Sequence, residues 1–192
     1  MRNPLAVLGL VPLAACGSYS SPSSPPPRPH LVEKGSFQAL YGADGRLQRV
    51  AYDRDDDRRA EVVTIFSPAG TPLRAQIDGD NDGVVDRWEY YGPDGRIAKV
   101  GLSRRTPGTP DVWWYPDGFG GAGRREYDDD GDGRAERAED LLDGLVVAEE
   151  FDTDGDGLRD RRVVRGPDGS VERVETDPDR EGRWQRSVPV AR

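Results

Sequence analysis

The 192-residue chain carries 36 acidic against 27 basic side chains, a net charge of −9, and that excess of negative charge argues against a nucleic-acid partner. Leu, Ile, Val and Phe make up 38 of the 192 residues, close to the composition at which a chain cannot bury enough apolar surface to fold unaided. With one cysteine no disulfide can form within the chain, and with one histidine, placed in a proline-rich tract, no Ser/His/Asp triad can be assembled.

In chain order, the first element is "MRNPLAVLGLVPLAAC", one early positive charge, an apolar core and small residues before Cys16. That is the pattern of a secretory signal over 1–15, too short to span a bilayer. The stretch Leu13, Ala14, Ala15, Cys16 resembles the bacterial lipobox. The resemblance implies that Cys16 is diacylated and becomes the mature N-terminus, and Gly17 after it implies export to the outer membrane, facing the periplasm or the cell surface. Removing 1–15 takes away only Arg2 among charged residues, so the net charge moves from −9 to −10. Residues 16–34 read as a lipidated cysteine followed by a Ser/Pro-rich, disordered tether, with His30 near its end.

Residues 35–192 repeat. Asp53, Asp78, Ser103, Asp128, Asp152 and Asp177 open six similar stretches at spacings of 25, 25, 25, 24 and 25 residues. Between them fall turn sequences: "GADG" at 42–45, "SPAG" at 67–70, "GPDG" at 92–95, "YPDG" at 115–118, "LDG" at 142–144 and "GPDG" at 166–169. The segments between loop and turn are too short for helices and rich in β-branched and aromatic residues, as in "AEVVTIF" (60–66), "DVWWY" (111–115) and "LVVAEEF" (145–151). The expected fold is all-β: an antiparallel meander of about thirteen short strands, with a leading strand at 35–41, in an open or rolled sheet. Alternation places Val63, Trp88 and Trp113, then Ile65, Tyr90 and Tyr115, on one buried face. Arg87, Glu89, Arg137, Glu139 and Arg161 mark a polar face that Val112, Trp114 and Val163 interrupt.

The acidic loops can be compared with what calcium requires, six to eight oxygen ligands drawn from alternate loop positions, with glycine at position 6 for the bend. "DGDNDGVVDRWE" supplies Asp78, Asp80, Asp82, Asp86 and Glu89, with Gly83 at the bend. "DDDGDGRAERAE" supplies Asp128, Asp130, Asp132, Glu136 and Glu139, with Gly133. "DTDGDGLRD" supplies Asp152, Asp154, Asp156 and Asp160 with Gly157, and has Val163 where a twelfth-position glutamate would stand. Two further loops read as weak sites: Asp53, Asp55, Asp57 and Glu61, with Arg58 replacing the bend glycine, and Asp177, Asp179 and Glu181, with Gln185 at position 9. The sixth loop has Ser103, Arg105 and Pro107 at ligand positions, so it keeps the turn without the metal chemistry.

These loops resemble the DxDxDGxxD calcium loops of EF-hands, dockerins, thrombospondin type 3 repeats and integrin-like FG-GAP repeats, and the resemblance implies Ca2+ as the bound ion. It covers each loop and not the domain, because EF-hand pairs need helices on both sides. The turn hairpins resemble YD-type and MORN-like β repeats. No catalytic constellation is found, so no enzyme is expected. The expected function is a calcium-binding surface or periplasmic lipoprotein with a structural, adhesive or binding role. Two other classes stay open: a carbohydrate-binding module using Trp88, Trp113 and Trp114, and an inhibitor or immunity-type protein that binds a protein partner. The partners implied are therefore the membrane, through the lipid anchor, and a glycan or a protein.

Overall fold

Short alternating segments joined by two kinds of reverse turn leave the chain one simple option, to fold back on its immediate neighbour each time. The computed structural model describes residues 28–116, 121–179 and 182–190, and shows that option taken throughout. The strands are β1 (His30–Lys34), β2 (Phe37–Tyr41), β3 (Leu47–Tyr52), β4 (Val62–Phe66), β5 (Pro72–Ile77), β6 (Arg87–Tyr91) and β7 (Ile97–Leu102). They continue as β8 (Val112–Pro116), β9 (Ala122–Tyr127), β10 (Arg137–Leu142), β11 (Leu145–Phe151), β12 (Arg161–Arg165), β13 (Val171–Pro178) and β14 (Trp184–Pro189). All fourteen lie in one antiparallel sheet in sequence order. Among the described residues each strand touches only its neighbours in sequence, so the sheet is a single open layer with β1 and β14 as free edges.

The expected count of about thirteen strands becomes fourteen because β1 occupies 30–34, inside the stretch assigned to the tether. Gly35 at φ 56° closes a tight hairpin with β2, which pairs His30 with Tyr41 and stacks the two rings 5.3 Å apart. Glycine next to serine reads as linker composition, yet here it is the turn. The signal stretch, Cys16 and the tether up to residue 27 lie outside the described residues, as do Asp117 and Gly118 of the fourth turn.

The turn sequences do what their residues require. Gly45, Gly70, Gly95 and Gly169 each take positive φ, and the N–H of each donates to the carbonyl three residues back. The pairing register then slips by one residue beside the turn, as at Leu40/Tyr41 and Tyr90/Tyr91, the bulge that a type I turn followed by an αL residue produces. All these turns fall at one end of the sheet, and the long acidic loops therefore fall at the other.

One expected feature is replaced. A buried face and a polar face need a second layer to cover the first, and this sheet has none, so side chains on each face cover one another instead. The expected aromatic row forms but is half-buried: Trp88 and Trp113 flank Gly101, and a Cβ on Gly101 would lie 2.7 Å from the Trp113 ring. Lys99 Nζ sits 3.6 Å over that ring. The most deeply buried apolar side chains of the middle strands are on the other face, where Val100 and Val112 are 1% and 4% exposed. Past Trp113 the same row continues as Glu126, Ala138, Glu150, Arg162 and Glu175. There ion pairs take over from aromatic rings, with Arg124 reaching Asp140 and Glu150 at 2.6 Å each.

Candidate metal centre

Four of the nine-residue acidic loops are built around their first aspartate. In the loop between β5 and β6, Asp78 Oδ1 accepts the N–H of Asn81 at 2.8 Å and Oδ2 accepts that of Gly83 at 2.8 Å. Asp53, Asp128 and Asp152 repeat the pattern, taking the N–H groups of positions 4 and 6 of their own loops. For those N–H groups to converge, positions 4 and 6 adopt positive φ: Asp56 and Arg58, Asn81 and Gly83, Gly131 and Gly133, Gly155 and Gly157. The residue at position 9 closes the ring. Asp86 accepts the N–H of Gly79, Glu136 that of Asp129, Asp160 that of Thr153, and Glu61 that of Arg54.

Folding the loop this way drives carboxylates together. Oxygens of Asp53, Asp55, Asp57 and Glu61 lie within 4.8 Å of one another, and so do those of Asp128, Asp130, Asp132 and Glu136. The two remaining groups have three members each, Asp78, Asp80 and Asp86, and Asp152, Asp154 and Asp160, by the same 4.8 Å measure. Asp82 and Asp156 are not gathered with them; each accepts the N–H two residues on, from Val84 and Leu158. These groups can hold a cation, and their all-oxygen chemistry suits hard divalent ions.

The twelfth-position glutamates are placed elsewhere. Glu89 and Glu139 lie on β6 and β10, three residues beyond the loop, and an extended strand carries them about 10 Å away from its mouth. In an EF-hand the chain would instead coil back as a helix. Here Glu89 pairs with Arg87 at 2.7 Å and accepts the Tyr91 hydroxyl at 2.5 Å, while Glu139 accepts from Tyr127 and Arg137. Burial, reinforced by the Glu89 hydrogen bond, pushes the Tyr91 phenol up to about 12.

The two loops that do not gather carboxylates hold their own counter-charges. Asp111, 5% exposed, accepts the N–H groups of Arg104 and Arg105 and faces the Arg104 guanidinium at 3.9 Å. Asp177 lies 3.6 Å from Arg186, and Asp179 pairs with Arg183 at 2.8 Å and with Gln185. Glu181 lies outside the described residues. By contrast, none of the carboxylates gathered in the four metal-capable groups forms an ion pair among the described residues. At Asp152 desolvation works to raise the pKa, but the N–H groups of Gly157 and Gly155 outweigh it and hold the carboxyl below its ordinary value.

The loops are also joined to one another. The carbonyl at position 9 of one loop accepts the N–H at position 1 of the next: Glu61 from Asp78, Asp86 from Ser103, Asp111 from Asp128 and Glu136 from Asp152. At three junctions the side chain at position 7 also lies over the position-6 glycine of the following loop, whereas Gly133 and Gly182 have nothing within 4 Å of an added Cβ. Arg59 covers Gly83, Val84 covers Gly108 and Arg134 covers Gly157, where an added Cβ would come within 2.9, 3.2 and 3.1 Å respectively. Reading the loops one at a time misses these three contacts.

The three tryptophans named for a glycan platform are not gathered. Trp88 and Trp113 share one face, Trp114 lies on the opposite one, and Lys99 caps the Trp113 ring.

No family model matches the chain, and no curated protein matches it. Solved structures match part of it. One contains accessory secretory proteins 1, 2 and 3 of Streptococcus pneumoniae, at 15% identity and a TM-score of 0.41, over 52% of this chain and 18% of that one. Another is an S. aureus TarM variant in complex with fondaparinux, alpha-GlcNAc-glycerol and UDP, at 9% identity and a TM-score of 0.38, over 65% of this chain and 21% of that one. A further TarM structure aligns at 9% identity with a TM-score of 0.39, over 60% of this chain and 21% of that one. The chain thus spans about a fifth of the length of the solved chains it matches, and nothing about ligands or activity carries over at that likeness.

Proposed function

We propose that this chain is a calcium-binding lipoprotein of the bacterial envelope, in which bound ions rigidify one edge of the sheet for a structural, adhesive or binding role. The observation that carries the reading is the missing counter-charge: among the described residues the gathered carboxylates at 78–86, 128–136 and 152–160 have no cationic side chain paired with them, whereas the loops at 103–111 and 177–185 supply arginines. Like charges packed that closely oppose folding until a cation neutralises them. Calcium fits better than magnesium because three or four carboxylates with added backbone carbonyls and water give an irregular shell, and magnesium demands a tight octahedron. A single-layer sheet with little buried apolar surface is the kind of fold in which such ions contribute folding free energy directly.

The deciding measurement is a calcium titration of residues 28–192 followed by far-ultraviolet circular dichroism and melting. Identical melting curves in calcium and in chelator would overturn the reading. The anchor is tested separately: Cys16→Ser should move the protein from the membrane to the soluble fraction, because one lipidated cysteine is its only proposed attachment.

A further inference from the structure

The loop at 53–61 reads from sequence as a weak site, because Arg58 replaces the bend glycine and adds a cation. In the folded chain neither prevents the loop from forming. Arg58 takes the glycine-like φ of 73°, and its N–H donates to Asp53 Oδ2 at 2.9 Å as Gly83 N–H does to Asp78. Its side chain is exposed and makes no ion pair with the carboxylates of its loop. The space it needs follows from its place in the row. Gly83, Gly108 and Gly157 are each covered by the position-7 side chain of the loop before, but 53–61 is the first such loop and has none before it. Arg58 lines an open groove with Gly35 and Ser36 of the first hairpin.

A second observation points to a ligand. Glu61 is 4% exposed, and its Oε1 is buried without a hydrogen-bond partner while Oε2 accepts the Arg54 N–H. Its carboxylate belongs to the same 4.8 Å group as Asp53, Asp55 and Asp57. Buried polar atoms are almost always satisfied, and a cation would both satisfy this oxygen and offset the repulsion of the three neighbouring carboxylates. Asp55 is moreover held in place from outside its loop, since Asn81 Nδ2 of the next loop donates to its Oδ2 at 2.6 Å.

We propose that 53–61 is a divalent-cation site of the same hard, oxygen-ligated class, with Glu61 as its buried ligand, and that Asn81 couples it to the loop at 78–86. This rests on the reading that gathered loops take calcium, and it deepens that reading by adding the loop the sequence discounts. Equilibrium dialysis of the soluble chain against calcium counts the ions. Glu61→Gln should lower the number bound by one relative to wild type, with the loops at 128 and 152 unaffected. Arg58→Gly, which keeps every ligand, should tighten one class of site roughly threefold to tenfold at low salt, the scale of one exposed charge acting on a divalent ion through water. If wild type binds calcium but both variants give its isotherm unchanged, 53–61 is not a site and the wider reading stands. If wild type binds none, both fall.

Discussion

The two ends of the sheet use the same residue in different ways. At the turn end three hairpins use one aspartate each: Asp44, Asp94 and Asp168 accept a single N–H two residues on, each at 3.0 Å, and Arg46 and Arg96 stand 3.9 Å from the first two. In four loops at the other end three or four carboxylates come within 4.8 Å of one another, and among the described residues none of them forms an ion pair. A lone aspartate finishes a turn with charge to spare for water, whereas a converging set has satisfied the backbone at the expense of its own repulsion. Aspartate content alone therefore does not single out a candidate metal site; convergence without a paired arginine does.

The sharpest way to break this comparison is to remove calcium. An ion that binds only the folded chain stabilises it by about 2.7 kcal/mol per site at a hundredfold excess over Kd, so chelation should lower the melting temperature by many degrees. A calorimetric scan with and without chelator measures it. Next in size, Asp130→Ala or Asp80→Ala should each remove one site's share of the calcium-induced shift, because each deletes a gathered ligand. Asp94→Ala at the turn end should cost roughly 1 kcal/mol in calcium and in chelator alike, one hydrogen bond and no ion.

A pH series separates the ends further. Without calcium, the Asp152 carboxyl sits below its ordinary 3.8, so its backbone cage stabilises the fold above that pH and the contribution is lost as pH falls through the depressed folded value. Tyr91, at the turn end, runs the other way: with its phenol raised to about 12, its contribution is complete below the ordinary 10 and is lost as alkali approaches 12. NMR titration of the two residues reads both windows. The smallest expected effect is Arg105→Ala, which should leave the calcium shift unchanged, since 103–111 gathers no carboxylates. A reduced shift there would show that ions reach loops that do not gather acids.

Much of this architecture was legible beforehand because it is local. A 25-residue spacing, glycine after a PDG-type turn and short β-branched segments dictate hairpin after hairpin, and a meander needs no long-range information. That positions 1, 3 and 9 come together was legible too, since it follows from the loop's own hydrogen bonds. Glu89 and Glu139 were not, because position 12 depends on whether the chain leaves the loop as a helix or as a strand. Glu61 could not be ranked from spacing, since its orphaned oxygen arises from burial. His30–Lys34 was missed for a related reason: an exposed edge strand has no apolar pattern of its own and forms only because β2 lies beside it.

By itself, then, the sequence determined that this chain is a repeated antiparallel sheet with aspartate-rich loops, because turn chemistry and strand alternation act over a few residues. Tertiary structure decided that the sheet stays one open layer covered on both faces by its own side chains. It also decided in which loops an arginine pairs with a loop carboxylate, and that three loops rest on the next through Arg59, Val84 and Arg134. Those outcomes depend on which residues strand register brings opposite one another, and register is a property of the assembled sheet.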